Sequence, residues 1–140
     1  MDRSYTPGMV YNPTLLSAVG VSTSPLTVTS ATQPVAGAKG VGFELTGASI
    51  TTRSAVFTVT ASMDGGTTYN AYSMLISNLA NTNSQTLTRV ASITRAATGT
   101  DMCWMTPETL SGITHIKATL VITDTGTPAG TFTVKAVVTY

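Results

Sequence analysis

Charge is what this chain has least of. Only 9% of its 140 residues are Asp, Glu, Lys or Arg, against roughly 25% in an ordinary globular domain. The seven cationic residues are scattered from Arg3 to Lys135 and the net charge is +1, so no basic cluster offers a footprint for nucleic-acid phosphates. The single cysteine, Cys103, excludes an intramolecular disulfide, leaves only an intermolecular one, and reads as a small buried or half-buried thiol. The single histidine, His115, excludes a multi-histidine metal site. It falls on the outward parity of its strand and reads as a solvated residue. No apolar run approaches the ~18 residues of a membrane span. Met1 to Gly8 carries no apolar h-region, so the expectation is a chain made in the cytoplasm with no secretory leader.

Threonine and serine stand where the charges are missing. Threonine suits strands because its branched Cβ fits the pleated surface, while its hydroxyl keeps an outward face wettable. A surface so poor in charge relies little on repulsion to hold molecules apart and is suited to being covered by neighbours. The length is that of one domain able to bury a core without staples.

The most legible stretch runs from Ala55 to Tyr69. Ala55, Phe57, Val59, Ala61 and Met63 alternate with Thr58, Thr60 and Ser62, the period of two of a strand with one buried face. It ends in Asp64-Gly65-Gly66, where glycine supplies the positive φ of a tight reversal. The same design recurs along the chain. Residues 1–13, with Pro7, Gly8 and Pro13, read as an extended N-terminal arm, and 14–140 as the domain proper. Strands are expected over Thr14–Val21, Ser24–Ala31, Val41–Thr46, Thr86–Ala97, Ile116–Thr123 and Thr131–Tyr140. Tyr69–Asn78 fits a strand through Tyr72, Met74 and Ile76 and a helical stripe through Tyr72, Leu75, Ile76 and Leu79; its β-rich context favours the strand. Gln33–Gly40 and Gly47–Arg53 read as a loop and a turn region. Arg89 and Arg95 share the parity of Leu87 and Ile93, which calls for a bulge or a strand end there. Met102-Cys103-Trp104-Met105 reads as an apolar plug at one end of the core. About eight or nine short strands without a strong helix predict an antiparallel β-sandwich, jelly-roll or immunoglobulin-like.

No constellation for catalysis emerges. There is no Gly-x-Ser-x-Gly elbow, and Asp2, Glu44, Asp64, Asp101, Glu108 and Asp124 are dispersed. The expectation is a non-enzyme with no catalytic residues, cofactor or metal. Ser62-Met63-Asp64-Gly65-Gly66-Thr67-Thr68-Tyr69 resembles an Asp-box, the Ser-x-Asp-x-Gly-x-Thr-aromatic hairpin of sialidase-like propellers and other β-proteins. Ser62, Asp64, Gly66 and Thr68 match it, with Tyr69 where Trp is commoner. The resemblance implies a self-bonded structural turn, Gly65 included, and no activity; one copy cannot build a propeller.

The threonine-rich strands, this turn and the closing pair Ile116–Thr123 and Thr131–Tyr140 are together similar to small β-sandwich proteins of tailed-bacteriophage virions, such as capsid decoration proteins and head or tail accessory subunits. That resemblance implies a virion structural protein that binds itself, as a trimer or other closed homo-oligomer, and other virion proteins such as a major capsid protein. It implies neither direct nucleic-acid nor membrane contact. Contact candidates are Tyr5, Met9, Val10, Tyr11 and Leu15 of the arm and its sequel, and the outward apolar residues Val121 and Val137. The alternative is a carbohydrate- or receptor-binding module of a phage tail fibre or adhesin, whose usual mark is a row of exposed aromatics; aromatics are 6% of this chain.

Overall fold

The computed structural model describes residues 8–20, 24–78, 86–106 and 110–140, apart from the side chains of residues 77, 78 and 86. The described residues form one all-β, antiparallel assembly of eleven strands. They are β1 (Val10–Tyr11), β2 (Thr14–Val19), β3 (Leu26–Thr29), β4 (Gln33–Pro34), β5 (Gly40–Ser62), β6 (Asn70–Tyr72), β7 (Met74–Asn78), β8 (Thr86–Val90), β9 (Ile93–Arg95), β10 (Gly99–Trp104) and β11 (His115–Thr139).

Two of these strands set the architecture. β5 and β11, of 23 and 25 residues, pair along their whole lengths, from His115 opposite Ser62 to Thr139 opposite Gly40. The expected short strands on either side of Gly47–Arg53 and of Asp124–Gly130 are therefore halves of two continuous ones. What reads as turn chemistry is a bend. The register slips between Asp124 and Thr131, and Ser49, Thr52, Gly126 and Gly130 all have positive φ. Extra residues on one strand of a pair bend it and raise its twist. Glycine is required at one of these positions: a Cβ on Gly130 would stand 2.6 Å from the carbonyl oxygens of Ala48 and Ser49.

The bend folds the ladder onto itself. The rings of Phe43 and Phe57 lie 5.6 Å apart between centroids at 59°, although a straight strand would separate residues fourteen apart by about 46 Å. Between the halves lies the core, with Val41, Phe43, Leu45, Phe57, Val59, Ile116, Leu120, Ile122, Phe132, Val134 and Val138 all buried. This is the alternation of hydrophobic and polar residues expected from sequence, with its inner faces turned toward each other.

Shorter strands widen each half. β10, β7 and β8 follow β5 in one half, and β1 and β2 flank β11 there. In the other half β3 and β4 lie on β11, and β6 and β9 on β5. The chain crosses between halves at Ser73 and at Ala91-Ser92, where strand pairing lapses. The second crossing explains the parity of the arginines: Arg89 belongs to β8 and Arg95 to β9, in different halves. Gln33–Gly40, expected as a loop, contributes the two-residue β4. Within the arm, Val10 and Tyr11 pair with Thr139 and Val138.

Candidate functional site

The Asp64 turn closes on itself. The Ser62 hydroxyl donates to Asp64 Oδ1 at 2.7 Å, and the same oxygen accepts from the backbone N–H groups of Thr67 (3.1 Å) and Thr68 (2.8 Å). Ser62 Oγ accepts from Gly66 N–H at 3.0 Å. The Thr68 amide first, then the Ser62 hydroxyl, hold the Asp64 carboxyl down at about 2, because donors aimed at a carboxylate favour its charged form. Its lone pairs are engaged within the turn, and its role is to shape the reversal between β5 and β6.

Other candidate chemistries are likewise committed to structure. Cys103 is buried, with its thiol 3.3 Å from the sulfur of Met74. Burial, and then the Asp101 carboxylate, push that thiol up to about 12, which leaves almost no nucleophilic thiolate at neutral pH. His115 Nδ1 lies 2.9 Å from the Thr114 hydroxyl. Arg53 and Asp124 pair with each other, as do Arg95 and Asp101. Among the described residues no group of three or more His, Cys, Asp or Glu could hold a metal ion.

The feature left over is an apolar face. Cys103 of β10 and Met105 just beyond its end are buried in the core, while Met102 is 50% and Trp104 39% exposed. The expected plug is thus half right, and Trp104 is corrected from core to surface: alternation along a strand sends residues 102 and 104 to the opposite side from 103 and 105. Trp104 lies opposite Gly42 on β5 and Leu75 on β7; Gly42 in turn lies opposite Val137 on β11, and Leu75 opposite Arg89 on β8. One pleat along, Met102 lies opposite Glu44, whose other neighbour is Lys135. The exposed Leu87 completes the face on β8.

Trp104, Met102, Leu75, Leu87, Val137 and Glu44 line a shallow depression of about 460 Å³ that also reaches Thr106 and Thr139. A glycine builds its floor. A Cβ on Gly42 would stand 3.2 Å from Trp104 Cδ1, so the missing side chain lets the indole lie down over β5. Exposed apolar side chains gathered on an outer sheet face make this the candidate site.

The contact candidates read from sequence are only partly brought together. Val137 lines the depression, and Val10, 60% exposed, shares its side of the sheet through its place opposite Thr139. Met9 is exposed as well. Tyr11 and Leu15 pack against the core instead, and Val121 sits half-buried in the other half, opposite Val56 and Thr27. Tyr5 lies outside the described residues. Met102, Trp104, Leu75 and Leu87 were missed, although the parity of β10 alone could have found the first two.

No protein-family model matches the chain, and no curated protein matches it in sequence. The fold does have a counterpart. The crystal structure of SPBc2 prophage-derived protein YomS aligns with a TM-score of 0.57 over 98% of this chain and 98% of that one, at 14% sequence identity. At that identity the likeness is one of fold.

Proposed function

We propose that this chain is a non-enzymatic structural protein of a bacteriophage particle, a capsid decoration or minor capsid subunit that holds its neighbours through the apolar face of β5, β10, β7 and β8. The observation that carries this reading is the outward placement of Trp104, Met102, Leu75 and Leu87 on one face of the sheet. Burying such a face stabilises a contact by about 25 cal/mol for each Å² of apolar surface removed from water. The sparse charge of the chain adds little desolvation cost to that burial. End-to-end likeness in fold to a prophage-derived protein supports a phage setting.

A carbohydrate-binding role is favoured less by the same face. Trp104 is its single exposed aromatic ring, where stacking on sugars calls for a row of them. The partners in this reading are proteins, the location is the virion, and neither a cofactor nor nucleic acid takes part.

The test is attachment. Purified particles, stripped of this protein by deleting its gene, are titrated with the purified chain, and bound protein is counted after sedimentation. Saturable binding at a stoichiometry matching the particle's symmetry is expected, and Trp104→Glu should abolish it without lowering the thermal midpoint. A chain that stays in the supernatant at every concentration overturns the proposal.

A further inference from the structure

We propose that the occupant of the apolar face is a second copy of this chain, packed face to face about a two-fold axis that passes between β10 and β7. This takes the face as a protein-binding surface, as above, and names its partner. Three charges, Glu44, Arg89 and Lys135, sit on this otherwise apolar surface. Across one row of the sheet the residues are Val137, Gly42, Trp104, Leu75 and Arg89; across the next they begin Lys135, Glu44 and Met102. Glu44 and Arg89 therefore stand on opposite sides of the Trp104–Met102 centre.

The strand order β5-β10-β7-β8 puts three inter-strand steps of about 4.8 Å between them, with an offset of two residues along the strands. That is about 16 Å in all, too far for the two to meet within one copy. Neither enters an ion pair among the described residues, nor does Lys135 beside Glu44. An isologous contact requires a patch complementary to itself. Opposite charges on either side of an apolar centre supply that complementarity: a two-fold axis lying in the plane of the contact, perpendicular to the line from Glu44 to Arg89 at its midpoint, sets each over the other's counterpart.

Each Glu44 carboxylate then faces Arg89 of the second copy, giving a symmetric pair of ion pairs at the margins. Between them Trp104 meets Trp104 of the second copy, and Met102 meets Leu75 of the second copy. An apolar, water-excluding centre with charge at its rim is the arrangement of a specific protein interface. β8 pairs only with β7 among the described residues, so the approach to Arg89 and Leu87 is from an outer strand.

Sedimentation velocity on the full chain, with four charge variants, tests this. The wild type is expected to dimerise. Glu44→Arg and Arg89→Glu should each weaken association at least tenfold, by setting like charges together at both margins. The double variant, E44R with R89E, should restore it. Most tellingly, the two single variants mixed in equal amounts should form a heterodimer, because one copy then carries both bases and the other both acids.

A wild type that is monomeric throughout, or trimeric, overturns the proposal. So do single variants that associate like the wild type, or a mixture that fails to pair. Thermal melts of each variant confirm that these surface changes leave the fold intact. Failure of this proposal is separable from failure of the wider one: a monomeric protein whose particle attachment is still lost in Trp104→Glu keeps the face as an interface and gives it a different partner.

Discussion

Arg53 and Asp124 form a bidentate ion pair at the bend of the long ladder, with Nε to Oδ1 at 2.7 Å and Nη2 to Oδ2 at 3.0 Å. They are the last residues in register before the bulge. Arg53 Nη1 also donates to the carbonyl of Gly130, at the far end of the slipped segment, next to Thr131 where pairing resumes. One planar guanidinium thus ties both halves of β11 to β5, which a lysine with its single ammonium could not do. The pair sits where the ladder folds over to bring Phe43 against Phe57.

Removing one partner should therefore be costly. The Arg53 and Asp124 side chains are only 7% and 13% exposed, and a buried charge stripped of its partner costs about 3–5 kcal/mol. Asp124→Ala should lower the unfolding free energy by about 3 kcal/mol in urea titration. Asp101→Ala serves as the comparison, because Arg95 and Asp101 are 17% and 34% exposed and surface pairs contribute at most about 1 kcal/mol. Equal losses in the two variants would show that the bend does not depend on Arg53.

Asp64 predicts a pH dependence of definite sign. Its carboxyl is held at about 2 in the folded protein, below the ordinary value of 3.8. A group whose folded pKa is depressed contributes stability above its unfolded pKa and loses that contribution as pH falls through the folded one. The contribution is therefore complete near neutral pH and disappears between about pH 4 and pH 2. Thermal midpoints measured across that window should fall less steeply for Asp64→Asn than for the wild type. Parallel curves would mean that the turn gains nothing from the charge.

Period-two alternation made much of this fold legible, and it failed where backbone rather than side chains decides. Phe43, Phe57, Ile116 and Phe132 are read inward and lie inward. The stretch from Gly47 to Arg53 reads as a turn because Gly47, Ser49 and Thr52 break the alternation. What holds it in the strand is the ladder with β11, and pairing with so distant a segment leaves no local mark. Trp104 shows a different limit. Four apolar residues in a row suggest a plug by composition, whereas their parity sends alternate members to opposite faces. The face itself could not be read, because it depends on which strands lie beside β10: Leu75 and Leu87 join Trp104 and Met102 only through the order β5-β10-β7-β8.

Gly42 offers a way to disturb that face without touching any of its apolar side chains. The backbone there is ordinary strand, paired with Val137 and Trp104, and it has no positive φ. A Cβ would meet Trp104 Cδ1 at 3.2 Å and the Cys103 carbonyl oxygen at 3.5 Å, so alanine needs the indole to yield by a few tenths of an ångström. Valine adds two γ-carbons and should lift the indole off the sheet. β-branched residues suit strands, so Gly42→Val should change global stability by no more than about 1 kcal/mol. The emission of Trp104, the single tryptophan of the chain, should shift to the red as the ring enters solvent. Association or particle attachment should weaken in step with that shift across the series glycine, alanine, valine. An indole that keeps its wild-type emission in Gly42→Val would mean that the floor of the depression is not what seats it.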